Sequence, residues 1–319
     1  MDPTSSDAAA PPAPDGAKRV RFDFEVEFTN GGGLVGRDFR LDIQGDDITD
    51  EELAEYVVTD LRLLMVGHVR IRNRTVYVEP HRRATPLGAT QPAGTGRIFV
   101  DLSHTIEHGM VTYRGLPAPL VCDFLSREAS RAVYAPGTEF QIGRIDMVAN
   151  TGTYLDSPFH RFADGPDLSE LELASLAELE GVIVRVTGQA TRAITRATLL
   201  GALAGIDVRG KAVLVHTGWD EHWRTDRYFE GHPYLTSDAA RQLAAAGAAL
   251  VGIDSLNIDD TADDRRPVHT TLLGARIAIV EHLRGLARLP VTGFRFSAVP
   301  VKVKGMGTFP VRAYATLPG

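Results

Sequence analysis

The chain has 319 residues, of which 44% are hydrophobic and 24% charged, values typical of a globular protein with room for one large and one small domain. Its formal net charge of -7 argues against a nucleic-acid partner, because binding to duplex phosphates requires a dense basic surface. The single cysteine, Cys122, excludes an internal disulfide and a cysteine-rich zinc site, and no apolar run approaches the roughly 20 residues that span a bilayer, so we expect a cytoplasmic protein without membrane contact.

The chain order predicts four segments. Residues 1–17 are rich in Pro and Ala and lack the basic-then-apolar order of a secretory signal, so we expect a disordered tail. A small α+β module is predicted at 18–80. A linker rich in Pro, Gly and Thr follows at 81–97, and the remaining residues, 98–319, form the large domain.

Local patterns assign the elements of the small module. Apolar and charged residues alternate strictly over 20–28, which predicts a strand with one buried face, and a second strand follows. Thr49 and Glu52 have the spacing of a capping box and predict the start of a helix. The module is predicted to close with a hairpin that turns near Asn73.

The large domain is predicted to be an α/β fold with a mixed β-sheet core covered by helices. Near-continuous apolar runs indicate strands that are buried on both faces. Helical spacing lies between these runs, at 194–204 and 236–247. The apolar runs are 182–186, 212–217, 250–255 and 294–305.

The segment ANTGTYLDSPFHRFADG at 149–165 is the densest group of polar candidates. If it is extended, Asn150, Tyr154 and Asp156 lie on one side, because side chains alternate along a strand. His160 follows Pro158 and could turn towards them. This arrangement indicates a metal site or an acid/base site.

Further polar residues follow the predicted strands, where an α/β sheet usually builds its site. His269 and Glu281 add nitrogen and oxygen donors, which without thiolates suit zinc, manganese or iron. Asp254 follows one apolar strand and is a candidate substrate-binding residue. Trp219 and Trp223 could line an aromatic substrate pocket or pack on the core.

Five ordered blocks resemble the putative cyclase family, which includes bacterial kynurenine formamidase and isatin hydrolase. The resemblance implies a cyclase-like swivelling β/α fold for 98–319, with a small molecule as substrate and a homodimer or homotetramer as the assembly. It also implies a hydrolase acting on carbon–nitrogen bonds other than peptide bonds. The blocks are DLSHTIEHGM, NTGTYLDSPFH, VLVHTGWDEHW, GIDSLNIDD and PVHTTLLGARIAIVEHL.

The central motif departs from the family pattern at two metal-binding histidines, where this chain has Asn150 and Tyr154. The resemblance implies that the second ligand set survives as Asp156, His269 and Glu281. It implies that His160 moves protons. Asn150 is then left as a candidate for substrate binding, and Tyr154 as a second catalytic candidate that could donate a hydrogen bond to an oxyanion.

Several readings of the site stay open at this level. One divalent ion, zinc or manganese, on three protein ligands plus water matches a common catalytic pattern. A two-zinc centre would need a phenolate at Tyr154, and a metal-free site would use Tyr154 and His160 as acid/base partners. The alternatives to the hydrolase are a metal-independent cyclase or dehydratase and a non-catalytic ligand-binding member of the family. The glycine-rich segment 305–310 is interpreted as a turn beside the site.

Overall fold

The computed structural model describes residues 18–29, 31–43, 45, 47–60, 63, 66–78 and 96–319. The tail expected at 1–17 and the linker residues 81–95 lie outside these ranges. None of the helices described is long and apolar enough to span a bilayer. The chain divides into two compact units, one made of Met1–Gln91 with Cys122–Arg144 and the other of Pro92–Val121 with Ile145–Gly319.

The described residues form sixteen strands and five α-helices. The α-helices are α1 (Asp50–Asp60), α2 (Arg127–Ser130), α3 (Arg196–Leu203), α4 (Ser237–Ala246) and α5 (Pro267–Gly274). The strands are β1 (Lys18–Phe28), β2 (Gly33–Asp42), β3 (Val66–Val78), β4 (Arg97–Asp101), β5 (Leu120–Leu125), β6 (Ile142–Asp146), β7 (Tyr154–Asp156), β8 (Leu179–Arg185), β9 (Ala193–Ile194), β10 (Ala212–His216), β11 (Tyr234–Leu235), β12 (Leu250–Ile253), β13 (Ala278–Glu281), β14 (Phe294–Ser297), β15 (Thr308–Pro310) and β16 (Tyr314–Pro318).

The first unit contains an antiparallel sheet with the strand order β2–β1–β3. The alternation in β1 has the predicted effect, since Phe22 and Phe24 are fully buried while their neighbours are not. The capping box is also confirmed. The backbone N–H of Thr49 donates to Oε2 of Glu52 over 2.8 Å, and the N–H of Glu52 donates back to the Thr49 hydroxyl over 3.1 Å.

The predicted hairpin at Asn73 is wrong. β3 runs without a turn from Val66 to Val78 and pairs with β1 along its length. Asn73 does adopt a left-handed backbone, with φ of 55°, but at a shift in the pairing register with β1. Asn tolerates this conformation, and a bulge uses it to absorb an extra residue while the strand continues.

The second unit is built on a mixed sheet with the order β15–β7–β13–β12–β10–β8–β14–β16–β4. Its centre, β13–β12–β10–β8, is parallel, and the strands on either side of this centre pair antiparallel. Parallel strands require crossover connections, which α3, α4 and α5 supply. β9 and β11 form a separate parallel pair.

Both faces of this sheet are buried, which confirms the α/β class with a mixed sheet core. Val182 and Val184 of β8 pack with residues of α3, α4 and α5, while Ile183 faces a second apolar cluster on the opposite side. The strand predicted at 294–305 is wrong in length, because β14 ends at Ser297. The backbone N–H of the next residue, Ala298, donates to the carbonyl of Leu176, which lies outside the strands, so the pairing does not continue.

Candidate active site

The polar motif is extended over only part of the predicted length. The strand β7 covers Tyr154–Asp156, and these two residues project from the same face. Asn150 precedes the strand in a bend that includes Gly152, whose φ is +66°. Asn150 nevertheless lines the same cavity of about 420 Å³ as Tyr154 and His160. The bend, not strand alternation, brings the amide to the cavity.

The two strands beside β7 explain which side chains meet. β13 pairs antiparallel with β7 and places Glu281 directly opposite Tyr154. β15 pairs with the other edge of β7 and places Thr308 opposite Asp156. Directly opposed side chains in an antiparallel pair are close enough to interact. The sheet register therefore builds the site.

His269 and Glu281 line the cavity, and Asp156 lies buried beside His269. The Nε2 atom of His269 lies 3.7 Å from Oδ2 of Asp156 and 3.7 Å from Oε1 of Glu281. His160 joins the group from the other side, since one donor atom each from Asp156, His160 and His269 lie within 4.8 Å of one another. Asp156 and Glu281 are buried, whereas the side chain of His160 is 37% exposed.

Asp259 orients His269 and was missed by sequence reasoning. Its carboxylate accepts hydrogen bonds from the backbone N–H groups of Val268 and His269 in the first turn of α5. The same carboxylate lies 2.7 Å from Nδ1 of His269. A carboxylate on Nδ1 leaves the Nε2 lone pair free for a ligand, as in many metal-bound histidines. The sequence block GIDSLNIDD contains Asp259, but the spacing of its residues does not distinguish the role of Asp259 from that of Asp254.

The charges of the cluster are strongly coupled. Burial lowers the pKa of His269, but the carboxylates of Asp156, Asp259 and Glu281 outweigh it and raise the pKa to about 10. Burial raises the pKa of Glu281 to about 7, against the opposing effect of His269. Without a metal, an imidazolium at His269 therefore balances part of the buried negative charge. A cation held at Nε2 would take over that role.

Tyr154 makes a hydrogen bond to Glu281 in place of a metal contact. Its hydroxyl donates to Oε2 of Glu281 over 2.6 Å, and both side chains are buried. Burial, followed by the charges of Glu281 and Asp156, raises the pKa of the phenol well above its usual value. The phenol has one hydrogen and directs it to Glu281, so this geometry does not support the expected donation to a substrate oxyanion.

Thr308 connects His160 to Asp156, which the sequence did not reveal. The Thr308 hydroxyl donates to Oδ1 of Asp156 and lies 2.8 Å from Nδ1 of His160. The Thr308 hydroxyl has a single hydrogen, which it donates to Asp156. The hydrogen in its contact with His160 therefore comes from Nδ1, so His160 carries a proton on this nitrogen. The preceding Gly307 permits this approach, because a Cβ there would lie 2.4 Å from the backbone nitrogen of His160. The segment interpreted as a turn thus contributes to the site.

The donor set fits one divalent cation. Oδ2 of Asp156 is buried and has no hydrogen-bond partner among the described residues, although it faces Nε2 of His269. A buried carboxylate oxygen without a partner is costly, and a cation would satisfy it. The two positions that bind a further ion in the family pattern offer it weak donors here, since Asn150 has a neutral amide and Tyr154 donates its hydrogen to Glu281.

Three candidates for substrate binding lie elsewhere. Asp254 is fully buried and accepts hydrogen bonds from the backbone N–H groups of Thr217 and Gly218, so it holds a loop in place. The indole of Trp219 donates to a backbone carbonyl, and Trp223 stacks on His104 with 3.8 Å between ring centroids. The structure does not place these three side chains in the lining of the cavity.

The comparisons with known proteins agree on one family. The family model of the putative cyclases matches residues 100–260. Kynurenine formamidase from Bacillus anthracis is 25% identical over 221 residues, covering 67% of this chain and 95% of the relative. Kynurenine formamidase from Salinibacter ruber is 29% identical over 174 residues, which are 54% of this chain and 78% of the relative.

Solved structures share the fold. Isatin hydrolase A from Labrenzia aggregata has a TM-score of 0.61 at 21% identity, covering 70% of this chain and 95% of its own. A protein described as a predicted metal-dependent hydrolase from Bacillus stearothermophilus has a TM-score of 0.54 at 28% identity, covering 69% and 98%. The family model spans half of the sequence and four of the five sequence blocks, and the resemblance to the family is thereby confirmed. The chain belongs to the putative cyclase family.

Proposed function

We propose that this protein is a metal-dependent hydrolase that cleaves a non-peptide carbon–nitrogen bond in an amide, a lactam or an N-formyl aryl amide. One observation carries the proposal: His160, His269 and Glu281 line one cavity, and Nε2 of His269 lies 3.7 Å from the buried carboxylates of both Asp156 and Glu281. The kynurenine formamidases among its relatives support the reaction class.

A zinc or manganese ion held by Asp156, His269 and Glu281 would supply Lewis acidity and lower the pKa of a water molecule. His160 keeps its proton on Nδ1 through Thr308, so Nε2 is the basic nitrogen. His160 takes a proton from the water as its oxygen bonds to the carbonyl carbon. It then returns this proton to the nitrogen as the carbon–nitrogen bond breaks, which releases a carboxylic acid and an amine.

Tyr154 serves the proposed reaction as a positioning residue. By donating to Oε2 it fixes the rotamer of Glu281, and the backbone N–H of Ile258 holds the other oxygen over 2.6 Å. Asn257 adds a weaker contact of 3.3 Å to Oε2. Glu281 is therefore held from several sides, as a ligand with a fixed geometry requires.

Metal content and turnover test the proposal together. Protein produced with added zinc and manganese should contain about one equivalent of metal and hydrolyse formanilide or isatin. Glu281→Ala should lose the metal, whereas Glu180→Ala, which changes an exposed glutamate paired with Lys211, should keep it. Circular dichroism checks that both variants fold.

The alternatives predict different results. Metal content near zero, or two equivalents per chain, contradicts the single-ion site. Full activity in chelator-treated, metal-free protein selects a metal-independent cyclase or dehydratase. Binding without turnover selects a non-catalytic member of the family. We also propose, from the resemblance alone, a cytoplasmic homodimer or homotetramer, and sedimentation equilibrium measures the assembly.

A further inference from the structure

The cavity that leads to the proposed metal site is lined by arginines. Arg114, Arg161 and Arg266 all contribute to its lining. Arg114 is already neutralised, since its guanidinium lies 2.8 Å from Glu230 and 3.6 Å from Asp226. Across residues 96–319 and the other described ranges, no carboxylate forms an ion pair with Arg161 or Arg266. The positive charges of these two side chains are therefore available to a ligand.

Arg266 is held in place by groups that do not cancel its charge. Its Nη1 atom donates to the backbone carbonyls of Asp260 and Asp263 over 2.8 and 3.3 Å. Its own backbone is left-handed, with φ of 48°, a conformation that is unfavourable for a residue with a Cβ and is retained mainly where the surroundings enforce it. The fork of Nε and Nη2 makes no hydrogen bond to a described residue and matches the two oxygens of a carboxylate.

Arg161 adds a second positive charge to the same cavity. Its Nε atom donates to the hydroxyl of Thr270 over 3.2 Å, and its guanidinium lies 5.5 Å from the ring centroid of Phe162. These contacts restrict the side chain without neutralising it. Arg161 is exposed and Arg266 is half-buried, whereas Glu281 in the cavity lining and the neighbouring Asp156 are buried.

The charge therefore changes sign along the cavity, from buried carboxylates to more exposed guanidinium groups. We infer that the substrate is an anion whose carboxylate binds Arg266 and Arg161, which directs its carbon–nitrogen bond towards Asp156 and His269. This inference rests on the proposed function, because it concerns the substrate of that hydrolysis. A neutral amide of the same shape would leave Nε and Nη2 of the half-buried Arg266 without a partner, which favours the anion over it.

Matched probes with and without a carboxylate test the inference on the native, metal-loaded protein. The probes are formanilide and its ortho- and para-carboxylated derivatives, and kcat and KM are measured for each. We expect kcat/KM to be at least about tenfold higher for one carboxylated probe than for formanilide. Arg266→Gln should reduce this selectivity about 10- to 100-fold, mainly through KM, as expected for loss of a hydrogen bond between charged groups.

Arg265→Gln is the control, because Arg265 is the adjacent arginine, pairs with Asp263 and has a side chain that is 86% exposed. It should leave the selectivity unchanged. Binding of the products is measured separately by calorimetry, with ortho- and para-aminobenzoate against aniline. Arg266→Gln should weaken aminobenzoate binding about 10- to 100-fold.

These outcomes separate the two proposals. If native protein binds an aminobenzoate through Arg266 but hydrolyses no probe, the carboxylate-binding role of Arg266 stands and the proposed hydrolysis fails. If it hydrolyses formanilide as efficiently as both carboxylated probes, the inference is overturned and the hydrolysis stands. Failure to bind either aminobenzoate more tightly than aniline also overturns the inference.

Discussion

The hydrogen bond from Tyr154 to Glu281 should contribute measurably to stability. Tyr154→Phe removes only the hydroxyl, and the ring remains packed at a site that is 1% exposed. The bond of 2.6 Å joins a buried phenol to a carboxylate. Bonds of this charged type contribute roughly 1.5–3 kcal/mol, and neutral ones about 0.5–1.5 kcal/mol. For a domain of this size, loss of the bond should lower Tm by roughly 3–12 °C.

Tyr228→Phe is the matched control. Tyr228 is equally buried, but its hydroxyl shares a hydrogen bond of 2.8 Å with Nδ1 of His282, whose pKa is lowered well below its usual value by burial, so the partner is neutral. Both substitutions remove one hydroxyl and leave an aromatic ring in the core. We therefore expect the loss of stability in Tyr154→Phe to be about twice that in Tyr228→Phe.

The difference between the variants should depend on pH. Burial raises the pKa of Glu281 to about 7, and the Tyr154 hydroxyl opposes this rise because it stabilises the carboxylate. Tyr154→Phe raises the pKa further. In the folded variant, Glu281 then stays protonated to a higher pH than it does in the unfolded chain. The additional loss of stability therefore grows as the pH rises above about 7. Below that pH, a protonated Glu281 gains less from the phenol.

Urea unfolding of chelator-treated protein at pH 6 and pH 8 measures both effects. The free energy of unfolding of Tyr154→Phe should fall further below the native value at pH 8 than at pH 6, while the deficit of Tyr228→Phe should change little. Equal deficits for the two variants at both pH values would refute the reasoning and mean that the Tyr154 ring merely packs.

Further predictions concern the proton path and a buried histidine. His160→Ala should lower kcat by about 10² to 10⁴ while one metal equivalent remains bound, and loss of the metal would identify His160 as a ligand. Thr308→Val should lower kcat more than it changes KM, and Thr308→Ser should restore turnover; a fully active Thr308→Val variant would contradict the role of the hydroxyl. Burial lowers the pKa of His104 to about 3, whereas the same side chain in the unfolded chain takes up its proton near pH 6.5. The free energy of unfolding should therefore fall as the pH drops below 6.5, by about 2 kcal/mol at pH 5. Urea unfolding should show a flatter pH profile for His104→Phe, and parallel profiles would contradict this.

Local sequence determined the elements whose causes are local. The alternation in β1 and the capping box of Thr49 and Glu52 each depend on residues within a few positions of one another, and both occur as predicted. The apolar runs also determined the α/β class, because only a sheet covered on both faces buries such strands. The prediction at Asn73 failed for a related reason: a left-handed Asn suits a turn and a bulge alike, and the long pairing of β1 with β3 decides between them.

Only the tertiary structure decided how the site is assembled. Tyr154 and Glu281 are 127 positions apart and meet because β7 and β13 are neighbours, and Thr308 reaches Asp156 from 152 positions away through β15. The resemblance to the family indicated Asp156, His269 and Glu281 as metal ligands. It could not show that the Tyr154 hydroxyl donates its hydrogen to Glu281. Nor could it show that Arg266 lines the cavity while Arg265 pairs with Asp263. Sheet register and loop path fix these partners, and both depend on packing across the whole domain instead of on neighbouring residues.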